Sequence, residues 1–151
     1  MRLKGSLLLA AGALLVAMIV PSTASAHGTH VRARMDGSKV VGQAGAPGGE
    51  GTAKLHLLRK KQRVCFRIEY SGIGSRDGIE IGVYRGKKDE NGAQKVTLVE
   101  GQKHDPIEGC VNGIPKSTLR KMTRSPRRFH VNVKTSKYPV DGAMRGQLKP
   151  I

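Results

Sequence analysis

Tryptophan is absent from this 151-residue sequence, phenylalanine occurs twice and tyrosine three times. A core with so few aromatics is built mostly from Val, Ile and Leu, and the chain has no aromatic-rich surface of the kind oxidases of polysaccharides use. Acids are also scarce, with 11 Asp and Glu against 27 Lys and Arg, a formal charge of +16. No Gly-x-Ser-x-Gly elbow occurs, so the usual serine-hydrolase nucleophile is excluded. No Asn-x-Ser/Thr acceptor occurs, and after residue 26 no apolar stretch is long enough to span a bilayer. Only two cysteines are present, Cys65 and Cys110.

The N-terminus reads as an export signal. Arg2 and Lys4 precede an unbroken run of apolar and small residues from Leu7 to Val20, Pro21 ends the run, and Ala24-Ser25-Ala26 has a small-x-small pattern. The run is short for a transmembrane helix, and no Cys follows it to carry a lipid. Residues 1–26 are therefore expected to be a signal peptide, cleaved near Ala26-His27, which leaves a secreted or cell-envelope domain over 27–151. Without Arg2 and Lys4 the balance is 25 basic residues against 11 acidic, or +14. In an exported chain the cysteine pair reads as a disulfide, with two free thiols as the other reading.

The remaining residues alternate in short runs separated by turn signals, the pattern of an all-β antiparallel sandwich or barrel, Greek-key-like. Thr52 to Leu58 directs Ala53, Leu55 and Leu57 one way and Lys54 and His56 the other. After a polar connection at Lys60-Lys61-Gln62, Val64, Phe66, Ile68 and Tyr70 form a second inward set, which leaves Cys65, Arg67 and Glu69 facing out. The disulfide is thus expected to pin an edge or a crossing loop. Ile79 to Tyr84, Lys95 to Val99 and a short run at Cys110-Val111 read as further strands, with a hairpin-type turn at Asn91-Gly92. Pro115 followed by Lys116 to Met122 is the one helical candidate, near 116–123, stopping before Ser125-Pro126. The Gly-rich segment from Gly42 to Gly51 reads as a flexible loop, since its glycines open no helix and make no phosphate cradle. Phe129 to Thr135 and Ala143 to Leu148 form a final pair, with Val131, Val133, Met144 and Leu148 inward.

That final block, "FHVNVKTSKYPVDGAMRGQL", resembles the end of the chordin-type (CHRD) domain: an aromatic-Val-Asn-Val strand, an aromatic-Pro-Gly turn, then Arg-Gly-Gln-Leu. "EGTAKLHLLRKKQRVCFRIEYSGI" is similar to the family's Gly-Thr-Ala strand and following hairpin, and "CVNGIPKSTLRKMTRSPRRFHVNV" to its secreted, disulfide-bearing bacterial form. The resemblance covers most of the chain after residue 26. It aligns Asn132, Gly142, Arg145, Gly146 and Gln147 as construction residues. Gly142 suits a positive φ, and Gly146 a bulge or close backbone approach. Asn132 and Arg145 suit hydrogen bonds to the neighbouring connection. Family members commonly carry a His-x-His pair in a middle strand, similar to copper ligands of copper/zinc superoxide dismutases, and a further His in the last hairpin. Here those segments read Glu80-Ile81-Gly82 and Asn132-Val133-Lys134, so no strand-borne metal site and no cofactor are expected.

Two function classes follow. The first is a non-enzymatic binding or structural module. Its cations cluster at Arg59, Lys60, Lys61 and Arg63, at Lys116, Arg120 and Lys121, and at Arg124, Arg127 and Arg128. Lys116 and Arg120, four apart on one helical face, repel each other without an anionic partner. An anionic cell-envelope polymer, an anionic lipid surface or an acidic protein would suit such a chain, and export makes nucleic acid the least natural partner. The second is an extracellular copper-binding protein: a free N-terminal His27 can chelate through its amine and ring, with His30 or another imidazole completing the set. Asp105 and Glu108 flank Pro106 as loop charges, and Glu80 reads as an outward carboxylate paired with nearby arginines rather than a general acid.

Overall fold

The computed structural model describes residues 28–101 and 105–151. Eight strands, β1 (Thr29–Asp36), β2 (Glu50–Leu58), β3 (Arg63–Ser71), β4 (Glu80–Arg85), β5 (Gln94–Glu100), β6 (Ile107–Val111), β7 (Phe129–Lys134) and β8 (Met144–Pro150), form one sheet in the order β5-β4-β7-β8-β1-β2-β3-β6. Every neighbouring pair is antiparallel. The two outermost strands, β5 and β6, approach each other. The sheet is therefore a nearly closed barrel rather than two separate layers, which limits exposed edges.

The alternation read from the sequence decides the inside. Ala53, Leu55 and Leu57 of β2, Val64 and Ile68 of β3, Val131 and Val133 of β7, and Met144 and Leu148 of β8 are all buried. Phe66, expected among the inward set, is only half-buried, because its cross-strand partner on edge strand β6 is Gly109, which offers no side chain to cover it. Helix α1 (Lys116–Arg124) extends beyond the expected stretch to Arg124 and sends Leu119 and Met122 into the core. Ile79 is buried but precedes its strand, and β8 extends to Pro150.

One strand, β1, is missing from the sequence reading. Val31, Ala33 and Met35 are buried, while Arg32 and Arg34 point out. The period-2 signal is present but weak, since only one of the three inward residues is β-branched. β1 is nevertheless central, pairing with β2 on one side and β8 on the other. The Gly-rich connection that follows ends at Gly49, because Glu50 and Gly51 belong to β2. Its backbone is tied at Gly37 N–H to Gly49 O (2.8 Å) and at Ala46 N–H to Ala143 O (2.7 Å), with Ala46 buried.

Cys65 and Cys110 are joined, and they are direct cross-strand partners on β3 and β6. The outward parity of Cys65 thus places the bond on the outer face, where it fastens edge strand β6 to the sheet. A sequence separation of 45 residues corresponds to about 4 kcal/mol in the chain-entropy account. Reduction, or the C65S/C110S double variant, should therefore lower unfolding free energy by about 4 kcal/mol, an upper figure in that account. Denaturant titration with and without reductant measures this, and an unchanged midpoint would contradict the assignment.

Candidate functional site

The outer face of β8 carries Arg145, Gln147 and Lys149, and the first two organise the loops above it. The Arg145 guanidinium is buried. It donates to Lys87 O at 2.6 Å, to Glu90 O at 2.8 Å and to Asn91 Oδ1 at 3.0 Å, and so anchors the β4–β5 connection. Burial pulls its pKa down from the ordinary arginine value, with Asp89 and Glu90 partly opposing the shift. The Gln147 amide donates to the carbonyls of Gly86, Arg127 and Phe129 at 2.7 to 2.9 Å, which seats the 3-10 turn Pro126–Arg128 on β8. Asn132 donates to Asp141 O at 2.9 Å and holds the β7–β8 connection.

Gly142, between them, has φ +97°, and a Cβ there would strike the Asn132 amide. At Gly146 a Cβ would collide with the Arg34 carbonyl of β1. The register runs without insertion on both sides of Gly146, so its role is a close strand approach and not a bulge. All five residues aligned through the family resemblance thus contribute to one small region around β8.

Beneath the anchored loop lies a cleft of about 810 Å³. Arg32 and Arg34 of β1, Arg145 and Lys149 of β8, Lys39, and Lys88 from the β4–β5 connection line it, with Asp89 as the single carboxylate. Lys39 Nζ lies 3.3 Å from Arg34 O. The site is not a linear cluster: its cations come from positions 32 to 149 and meet through the β8–β1 pairing and the Arg145 anchor. The local signal was the Arg-x-Arg spacing in β1.

The clusters visible in the sequence sit elsewhere. Arg59, Lys60 and Lys61 form a 3-10 turn that contacts α1, and Ile114 N–H donates to Gln62 O at 2.9 Å, which draws the two segments together. Lys116, Arg120, Lys121 and Arg124 are exposed on α1, and Arg127 and Arg128 are exposed on the turn that contacts both α1 and β8. Arg63 is engaged by Asn112 Oδ1 at 2.6 Å. Among the described residues the ion pairs are Arg67–Glu69, Arg67–Glu108 and Lys87–Glu90. None involves the helix-end cations or the cleft.

Glu80 departs from expectation. It has no arginine partner among the described residues; it accepts from the Tyr84 hydroxyl at 3.0 Å and lies opposite Lys134, whose ammonium sits over the Tyr84 ring. Burial, then the bond to Glu80, pushes the Tyr84 pKa up. The positions where the family commonly has histidines, Glu80, Gly82 and Lys134, fall on paired strands β4 and β7. His27 and residues 1–26, read above as a signal peptide, lie outside the described residues, as does His104. His30 stacks on His56, its β1–β2 partner, with ring centroids 4.0 Å apart. Among the described residues no group of three or more His, Cys, Asp or Glu could hold a metal ion.

His130 is buried, stacked 5.7 Å from Tyr84, with Nδ1 lacking a partner among the described residues. Burial, reinforced by the Arg145 charge, pulls its pKa from the ordinary 6.5 to about 4. The folded state thus binds this proton less readily than the unfolded chain. Its contribution is present above about 6.5 and is lost as pH falls from there toward about 4. Thermal melts should show His130→Phe losing less stability than wild type between these limits; parallel curves would contradict it. Arg145→Met, which strips three acceptors of their donor, should cost about 2 kcal/mol and open the β4–β5 connection to proteolysis. Unchanged stability and unchanged cleavage there would oppose the anchoring role.

A curated set of proteins contains no match to this chain, and no solved structure matches it. The CHRD domain profile matches residues 31–148, from β1 to β8. That span takes in every strand of the barrel except its first two and last two residues, together with the Arg145 anchor, and the chain belongs to the CHRD-domain family.

Proposed function

We propose that this protein is an extracellular, non-catalytic binding module whose helix-bearing end engages an anionic polymer of the cell envelope or its surroundings. The family is a non-enzymatic domain type typical of extracellular proteins, and a disulfide accords with export. The observation that carries the reading is the convergence of two cationic segments far apart in sequence. The Arg59–Lys61 turn and α1 pack together, and the cations there have no acidic partner among the described residues. The rigid barrel fixes their spacing, so binding requires little ordering of backbone. No described helix is long and apolar enough to cross a membrane.

Dextran sulfate is a suitable polyanion probe. Its affinity for the protein should fall linearly in log–log terms between about 50 and 200 mM salt. K116Q/R120Q/K121Q should reduce the slope by about one per cation removed. Binding that is absent at every salt concentration, or a triple variant that binds like wild type, would overturn the reading.

A further inference from the structure

We propose that the cleft between β1 and β8 is a separate binding site for a linear oligophosphate, a short chain of phosphoryl groups. The proposal concerns a different surface from the helix end and does not rest on the reading of that end.

The first observation is charge density. Among the described residues six cations line the cleft against one carboxylate, Asp89. The deepest of them, Arg145, is fixed in place by its three hydrogen bonds to the β4–β5 connection. Arg32, Lys88 and Lys149 make no ion pair with any described residue, and all three are exposed. A concave wall of cations around one anchored guanidinium suits a ligand of high charge per unit length, and the guanidinium fork matches phosphoryl oxygens bidentately.

The second observation comes from the strand register and is independent of the cavity. Lys149 lies directly opposite Arg32, Arg32 directly opposite Lys54, and Lys54 directly opposite Arg67. Four like charges therefore run across four adjacent strands on the outer face, about 5 Å apart from strand to strand. Among the described residues only the far end is neutralised, where Arg67 meets Glu69 and Glu108. Like charges placed opposite one another destabilise a sheet, so the row opposes the fold that carries it. An extended anion starting in the cleft and lying along Lys149, Arg32 and Lys54 would relieve that repulsion. The row leads out of the cleft in one direction, which favours a chain of repeated anionic groups over a single compact ion.

Tripolyphosphate binding, followed by calorimetry at low salt, tests the assignment. Wild type should bind, R32Q/K149Q should bind about tenfold more weakly, and K116Q/R120Q/K121Q should bind like wild type. Without ligand and at low salt, R32Q/K149Q should melt no lower than wild type, and tripolyphosphate should raise the wild-type melting temperature. The proposal is overturned if wild type does not bind, or if the helix-end variant weakens as much as the cleft variant. It is overturned equally if R32Q/K149Q melts lower than wild type, or if oligoglutamate of matched charge competes as well as tripolyphosphate. Failure of the helix-end reading is seen separately, in the dextran sulfate response of K116Q/R120Q/K121Q.

Discussion

A buried guanidinium that makes no ion pair among the described residues holds the loops over β8 together. Arg145 is satisfied by two backbone carbonyls and an asparagine oxygen, all from the β4–β5 connection. A charge removed from water is costly unless hydrogen-bonded, so the connection and the strand must be in register for the barrel to form as it does. Gln147, two residues on, applies the same device to the turn after α1, and Asn132 applies it to the β7–β8 connection. Gly146 between them lets β1 approach β8 closely. Side chains of β7 and β8 thus fasten three connections, and the cleft is the space left beneath one of them.

That arrangement explains why β7 is buried on both faces, although it belongs to a sheet with solvent outside. Its inward valines meet the core, while His130 and Asn132 are covered from outside by tethered loops. The cover leaves His130 Nδ1 and Asn132 Oδ1 without partners among the described residues, a cost accepted where several polar side chains share a small space. Over β1 and β2 the outer face is different. There Arg32 and Lys54 are exposed and stand in one row with Lys149 and Arg67.

Much of this was legible in the sequence. The parity of Cys65 placed the disulfide on the outer face, the alternation of β2 and β3 identified most of their inward residues, and the Pro115-to-Ser125 limits framed α1. The construction roles of Asn132, Gly142 and Arg145 followed from the family resemblance, and the structure supplies their partners. β1 was not legible, because Ala33 and Met35 are weak strand signals and two of the strand's eight residues are arginine. Glu80 was assigned arginine partners by proximity in sequence, whereas strand pairing gives it Tyr84 and Lys134. The cleft was hidden for the same reason. Arg32, Lys88 and Lys149 are remote in sequence, and only the β8-β1 pairing and the Arg145 anchor bring them together.

In the proposed reading, the cations on the outer face serve an anionic partner and oppose the fold in its absence. Repulsion among exposed charges is screened by salt, with a Debye length of about 10 Å at 0.1 M. The most direct measurement is the melting temperature of the unliganded protein as sodium chloride is raised from about 10 to 200 mM at neutral pH. A rise as the repulsion is screened is the predicted result. A flat or falling curve would mean that the cations are already balanced within the fold, and would contradict the account.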